Sequence, residues 1–129
     1  MKIEIQSYKD LGDKEKERVV LSVKEDAELG VYILSTTVSN PDDTISASIK
    51  NIFWLPNQKV KAGDLVIVYT KSGSKQVIEN EDGSSSYFFY WGLTESLMSL
   101  ENSTVVLFET TWINKKIQKS IVKADEYVE

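Results

Sequence analysis

The stretch Lys59-Val60-Lys61-Ala62-Gly63-Asp64-Leu65-Val66-Ile67-Val68-Tyr69 reads as a tight turn feeding a strand. Leu65 to Tyr69 is a continuous apolar run of strand length. It falls far short of the roughly 20 residues a membrane helix needs. Gly63 sits where the chain must turn, and glycine tolerates positive φ because it has no Cβ to clash. Pro56 stops the preceding segment before the bend, where its missing N–H removes no ladder bond.

Period-two patterning continues on both sides of this stretch. Upstream, Ile45, Ala47, Ile49, Phe53 and Leu55 share one parity, while Ser46, Ser48 and Lys50 take the other. Ile3 and Ile5 alternate with Lys2, Glu4 and Gln6; Val19, Leu21 and Val23 lie on one face; Val31 to Val38 is rich in β-branched residues. Downstream come Tyr87 to Trp91, Val105 to Glu109 and a weaker run from Lys116 to Val122. Turn residues separate the runs at Leu11-Gly12-Asp13-Lys14, Asn40-Pro41-Asp42-Asp43 and Asp82-Gly83, the last read as a type I′ hairpin with Gln76-Val77-Ile78 upstream. Helix signals are sparse: Thr94 to Leu100 can hold one turn, capped by Thr94 or Ser96 and pinned by Leu97, Met98 and Leu100. About seven to nine short strands with regular turns predict an all-β sandwich or barrel.

Composition bounds the chemistry. The chain has 129 residues, the size of one domain, and 41% hydrophobic against 27% charged residues is a composition that folds. It contains neither cysteine nor histidine, which removes disulfide frameworks, Cys/His zinc sites, cysteine nucleophiles and any Ser-His-Asp triad. Its 20 acids and 15 Lys/Arg leave a net charge of −5, which repels phosphate unless the bases segregate onto one face. The alternating N-terminus lacks the apolar run of a signal peptide, so the expected location is cytoplasmic unless a leader has been removed. Asn102-Ser103-Thr104 matches a glycosylation sequon and reads as turn residues.

Several of these stretches occur in a recognisable order. Ile52-Phe53-Trp54-Leu55-Pro56 followed by Lys59-Val60-Lys61-Ala62-Gly63-Asp64 and Leu65 to Tyr69 resembles the aromatic-x-aromatic-Pro … Leu-Lys-Ala-Gly … Val core of lamin tail domains. Trp91-Gly92, then Asn102-Ser103-Thr104 running into Val105-Val106-Leu107, is similar to that family's late segment, and Leu29-Gly30-Val31-Tyr32 to its early glycine-aromatic step. The resemblance spans about residues 2 to 112. It implies a single immunoglobulin-like β-sandwich over residues 1–129, core 2–112, with 113–129 as a C-terminal strand or tail, acting as a binding or scaffolding module. The Gly-acid-acid turn usual after Asn-Ser-Thr is missing, Ser72 to Ser86 does not match, and the basic surface of some lamin tails has no counterpart in this acidic chain.

Candidate sites follow from what chemistry remains. Carboxylates gather at Glu25-Asp26-x-Glu28, Asp42-Asp43 and Glu79-x-Glu81-Asp82, all read as solvated turns; a carboxylate enzyme is the third functional reading. Asn40 to Thr44 and Glu79 to Gly83 are oxygen-rich but lack the fixed acid spacing of an EF-hand. In Lys14-Glu15-Lys16-Glu17-Arg18 the two glutamates read as neutralising the bases, and the lysines of 115–123 as blunting an edge strand.

Aromatics stand out more. Tyr87-Phe88-Phe89-Tyr90-Trp91 places rings on both parities of one strand, so one set must be covered or meet solvent. Trp54 has the parity of the polar residues if the register is unbroken, and a bulge near Asn51 reverses that assignment. The expected surface is therefore Trp54, Tyr90 and Trp112, with no catalytic, cofactor or metal residues. The leading reading is a non-catalytic interaction module that binds protein through a sheet face or edge, or self-associates as a homodimer, with no cofactor, nucleic acid or membrane; the alternative is a carbohydrate-binding module stacking sugars on the same rings.

Overall fold

The computed structural model describes residues 1–99, 103–111 and 116. Among these residues ten strands run in order: β1 (Ile3–Lys9), β2 (Arg18–Val23), β3 (Ala27–Glu28), β4 (Tyr32–Val38), β5 (Lys50–Trp54), β6 (Lys59–Val60), β7 (Leu65–Tyr69), β8 (Gln76–Glu79), β9 (Ser85–Tyr90) and β10 (Ser103–Glu109). Single 3₁₀ turns occupy Leu29–Val31 and Leu97–Ser99. The expected all-β sandwich is present. A five-stranded sheet, ordered β1-β2-β7-β9-β8, faces a three-stranded sheet, β10-β4-β5, and the short β3–β6 ribbon forms a third sheet.

The core is built by alternation. Val19, Leu21, Val66, Val68 and Phe89 point inward from the larger sheet, and Tyr32, Leu34 and Val105 meet them from the smaller one. Leu29, Leu55 and Val60 complete the cluster, and the partly buried Phe53 and Trp91 pack against it. Gly63 has φ +93, as its turn requires, and the Asp64 carboxylate accepts N–H bonds from both Lys61 and Ser85, tying that turn to the start of β9.

Four expectations need correction or refinement. The apolar run before Leu55 is strand only from Lys50; Ile45 and Ile49 are exposed, and the Thr37 hydroxyl bonds the carbonyls of Ser46 and Ser48 instead. Parity cannot reveal such a side-chain competitor. Asp82-Gly83 does not form a two-residue type I′ turn: Gly83 N–H donates to Asn80 O, and of the turn's residues only Gly83 has positive φ, +87. That is a turn over Asn80 to Gly83 closed by a left-handed residue, with Asn80 and Ser84 as the first ladder pair. β7 and β9 pair in parallel, which no local signal announced. Finally, the turn near Thr94 is the 3₁₀ turn Leu97–Ser99, capped by the Ser96 hydroxyl; Leu97 is buried and Met98 exposed, so only Leu97 of that pair anchors it.

The parallel pair requires the chain to cross over the end of β9 between Tyr69 and Gln76. Gly73 makes that crossing possible. A Cβ there would stand 2.4 Å from the Tyr90 ring. The residues from Leu100 to Asn102, Trp112 to Lys115 and beyond Lys116 lie outside the description, so the strand-or-helix question for the C-terminal run stays with the sequence.

Candidate functional site

β5 alternates as its residue types demand. Phe53 turns inward and stacks on Trp91, ring centroids 6.0 Å apart. Ile52 and Trp54 therefore turn outward. The bulge anticipated near Asn51 is real: pairing with β4 shifts between Leu34 and Thr36, and Asn51 adopts φ +53. It does not bring the reversal expected of it: the shift lies before Ile52, so Phe53 and Leu55 keep the inward parity and Trp54 stays exposed. Two bonds hold the bulge: Trp91 Nε1 donates to Asn51 O at 2.8 Å, and Asn51 Nδ2 donates to Thr36 Oγ1 at 2.9 Å.

Trp54 is 51% exposed, yet its polar atom is already used: Nε1 donates to Gly30 O at 2.6 Å. A side chain at Gly30 would collide with Asn57, whose Oδ1 lies 2.0 Å from the Cβ position. The indole is thus oriented by the backbone and offers an apolar face. Across the sheet, Trp54 pairs with Ile33 and Ile33 with Phe108, forming one row over all three strands. Phe108 is 37% and Ile52 61% exposed. Cross-strand aromatic and β-branched neighbours of this kind stabilise a sheet by roughly 0.2–1 kcal/mol a pair. No such gain accounts for leaving Trp54, Ile52 and Phe108 exposed while Ile33 between them is half-buried.

Tyr90 stands elsewhere. It neighbours the inward Phe89 on β9, so it lies on the outer face of the five-stranded sheet, the opposite side of the molecule from Trp54. Its ring stacks on Tyr69 at 5.5 Å, Phe88 flanks Tyr69 at 6.5 Å, and Arg18 and Lys71 sit over the Tyr69 ring at 5.6 and 5.5 Å. The crossing at Gly73 covers part of Tyr90, which is half-buried. The second parity of the aromatic run is thus partly covered by the chain itself. Trp54 and Tyr90 cannot form one platform, and Trp112 lies outside the described residues.

The acidic loops are occupied internally. Asn40–Thr44 and Asn80–Ser84 fold alike: residue one donates its N–H to the carbonyl of residue five, at 2.8 Å in both. The Asp42 carboxylate accepts the N–H and hydroxyl of Thr44, and Asp82 those of Ser84. These bonds, the hydroxyl's foremost, hold both carboxyls below the ordinary 3.8. Among the described residues no group of three acidic side chains converges as metal ligands would.

Glu17, read as neutralising the bases beside it, turns inward instead. It is fully buried, and its carboxylate accepts four hydrogen bonds: from Gly12 N, Thr70 Oγ1, Ser96 Oγ and Leu97 N, at 2.6 to 3.0 Å. Burial pushes its pKa up, and these four donors outweigh burial and hold it below 4.5. A carboxylate with every acceptor site taken and no route to solvent is a joint between three segments, without access to a substrate. The signal was present in the sequence: Glu17 extends the inward parity of Val19, Leu21 and Val23 by one step.

No family model matches the chain, and a search of curated proteins found no match to its sequence.

Proposed function

We propose that this domain is a non-catalytic interaction module that binds a protein partner through the outer face of the three-stranded sheet. The observation that carries the reading is the apolar row Phe108–Ile33–Trp54 on the sheet face opposite the core, whose two ends are exposed with Ile52 beside Trp54 and whose centre, Ile33, is half-buried. Trp54 has the properties of an interface anchor. It is large, its Nε1 is already bonded to Gly30, and its exposed face needs no polar partner. A net charge of −5 favours a protein partner over phosphate-bearing ones. The resemblance of the sequence to lamin tail domains points the same way, towards a sandwich that works by docking.

The test is site-specific photocrosslinking in cells, with the reactive group at Trp54 or, as control, at Glu25, which is exposed but off this face. The expected result is a discrete protein adduct from position 54, absent from position 25 and lost when Ile52 and Phe108 become Ser. Equal labelling from both positions would remove the reading. A glycan array with tryptophan fluorescence checks the alternative, and a shift on sugar binding that Trp54→Ala abolishes would replace the protein partner with a carbohydrate.

A further inference from the structure

Among the described residues the two main sheets end in four edge strands, and three of them are closed or bent. β1 carries a register irregularity between Ile5 and Ser7, and its Tyr8 hydroxyl accepts the Val105 N–H of β10. β5 is bent by Asn51, whose carbonyl is taken by Trp91. Such devices keep edges from pairing with other chains. β8 has none of them: it contains neither bulge nor proline, and all of its residues are exposed. Val77 and Ile78 point to opposite faces, yet each is 50% exposed, so β8 projects beyond the cover of the smaller sheet.

The pairing of β8 with β9 determines which main-chain groups are free. Asn80 N–H donates to Ser84 O, which makes that a hydrogen-bonded pair. Antiparallel pairs alternate. Ile78 and Gln76, opposite Ser86 and Phe88, therefore turn their N–H and C=O groups to β9. Val77 and Glu79 turn theirs to the open side.

We propose that β8 pairs antiparallel with β8 of a second copy about a two-fold axis at Ile78, joining the two five-stranded sheets into one. A two-fold pairing must match outward residues with outward residues. Centred on Ile78, it sets Val77 against Glu79 of the second copy and Glu79 against Val77, so every outward N–H and C=O of the strand finds a partner. It also carries Lys75 to Glu81 of the second copy at both ends. Centring on Glu79 instead sets Glu79 against itself, a like-charge contact. Centring on Val77 sets Val77 against itself and Glu79 against Lys75, but leaves Glu81 opposite Gly73, so only the Ile78 axis matches Lys75, Val77, Glu79 and Glu81 among themselves. The run from Lys75 to Glu81, basic at one end and acidic at the other, is thus complementary to its own reverse. In the single chain Lys75 Nζ bonds Gln58 Oε1 on an exposed surface, where exchange for a carboxylate is open to it. This edge is distinct from the Trp54 face.

The chain has no cysteine, so single cysteines report alone. Ile78→Cys faces itself across the axis in a non-hydrogen-bonded pair, where Cα atoms lie about 4.5 Å apart, within disulfide reach. Under mild oxidation it should form covalent dimers roughly tenfold or more faster than Val77→Cys, Glu79→Cys or the remote Ser48→Cys, because pairing raises the local thiol concentration. Adding Val77→Pro to Ile78→Cys removes an outward N–H and no β8–β9 bond. The fold, checked by an unchanged urea midpoint, should stand while the crosslinking rate falls to that of Ser48→Cys. Equal rates at all positions, or a rate indifferent to Val77→Pro, overturn the proposal. A maximum at Val77→Cys or Glu79→Cys overturns the Ile78 axis.

Discussion

Glu17 and Gly73 are single residues on which separate parts of the chain depend. The four donors on Glu17 come from the β1–β2 turn, the end of β7 and the segment at Ser96 and Leu97. Glu17→Gln keeps the shape but replaces one acceptor oxygen with a donor, leaving buried donors facing an amide nitrogen. Urea denaturation should show a loss of about 2–3 kcal/mol. Gly73 is held by a different force, simple exclusion. Gly73→Ala drives a methyl into the Tyr90 ring, 2.4 Å away. The expected loss is about 1–3 kcal/mol, and the double variant Gly73→Ala, Tyr90→Ala should recover part of it in the same assay. Without that recovery, the crossing would not be what demands glycine there.

At the scale of elements, two loops far apart in sequence fold alike for the same reason. Asn40–Thr44 and Asn80–Ser84 each reverse the chain with an aspartate two residues after the asparagine and a hydroxyl two residues after the aspartate. The left-handed position is Asp43, φ +66, in one and Gly83, φ +87, in the other. Gly83→Ala adds a Cβ to that conformation and should cost about 1 kcal/mol. Asp43→Gly should be neutral or stabilising by a few tenths of a kcal/mol, since relieved strain is offset by a more flexible unfolded chain. Thermal melts of the two variants should move in opposite directions or differ clearly in size. β5 shows another form of element-level control. Its bulge at Asn51 is set by Thr36 and Trp91, residues 15 and 40 positions away, and determines which of its side chains meet solvent.

For the molecule as a whole, stability should fall at both ends of the pH scale for identifiable reasons. Glu17 has a folded pKa below 4.5, so its contribution is complete above 4.5 and is lost as pH falls through the folded value. Tyr32 behaves in the opposite sense. Burial, then its hydrogen bond to Glu109 and that residue's charge, push its pKa from 10.0 up to about 12. The protein suffers no penalty below 10.0 and loses stability as pH rises from there through about 12, by about 3 kcal/mol at full titration. Urea midpoints measured across pH should show both limbs. Glu17→Gln should flatten the acid limb alone, and Tyr32→Phe the alkaline limb alone.

The all-β sandwich follows from the sequence by itself. Apolar runs of strand length such as Val19-Val20-Leu21 and Leu65 to Tyr69 bury themselves wherever they pair, and Gly63 and Pro56 admit few alternatives to a turn. The exposure of Trp54 was also legible as two outcomes separated by one bulge. Tertiary structure set the bulge at Asn51, before Ile52, and so left Trp54 exposed in spite of it, because the position of a bulge depends on partners such as Thr36 and Trp91. It likewise buried Glu17, placed Trp54 and Tyr90 on opposite faces, and brought β9 parallel to β7. None of these is a local property. Parity says that a residue shares a face with its neighbours two positions away. Which face is covered, and by what, is decided by segments that meet only when the chain has folded.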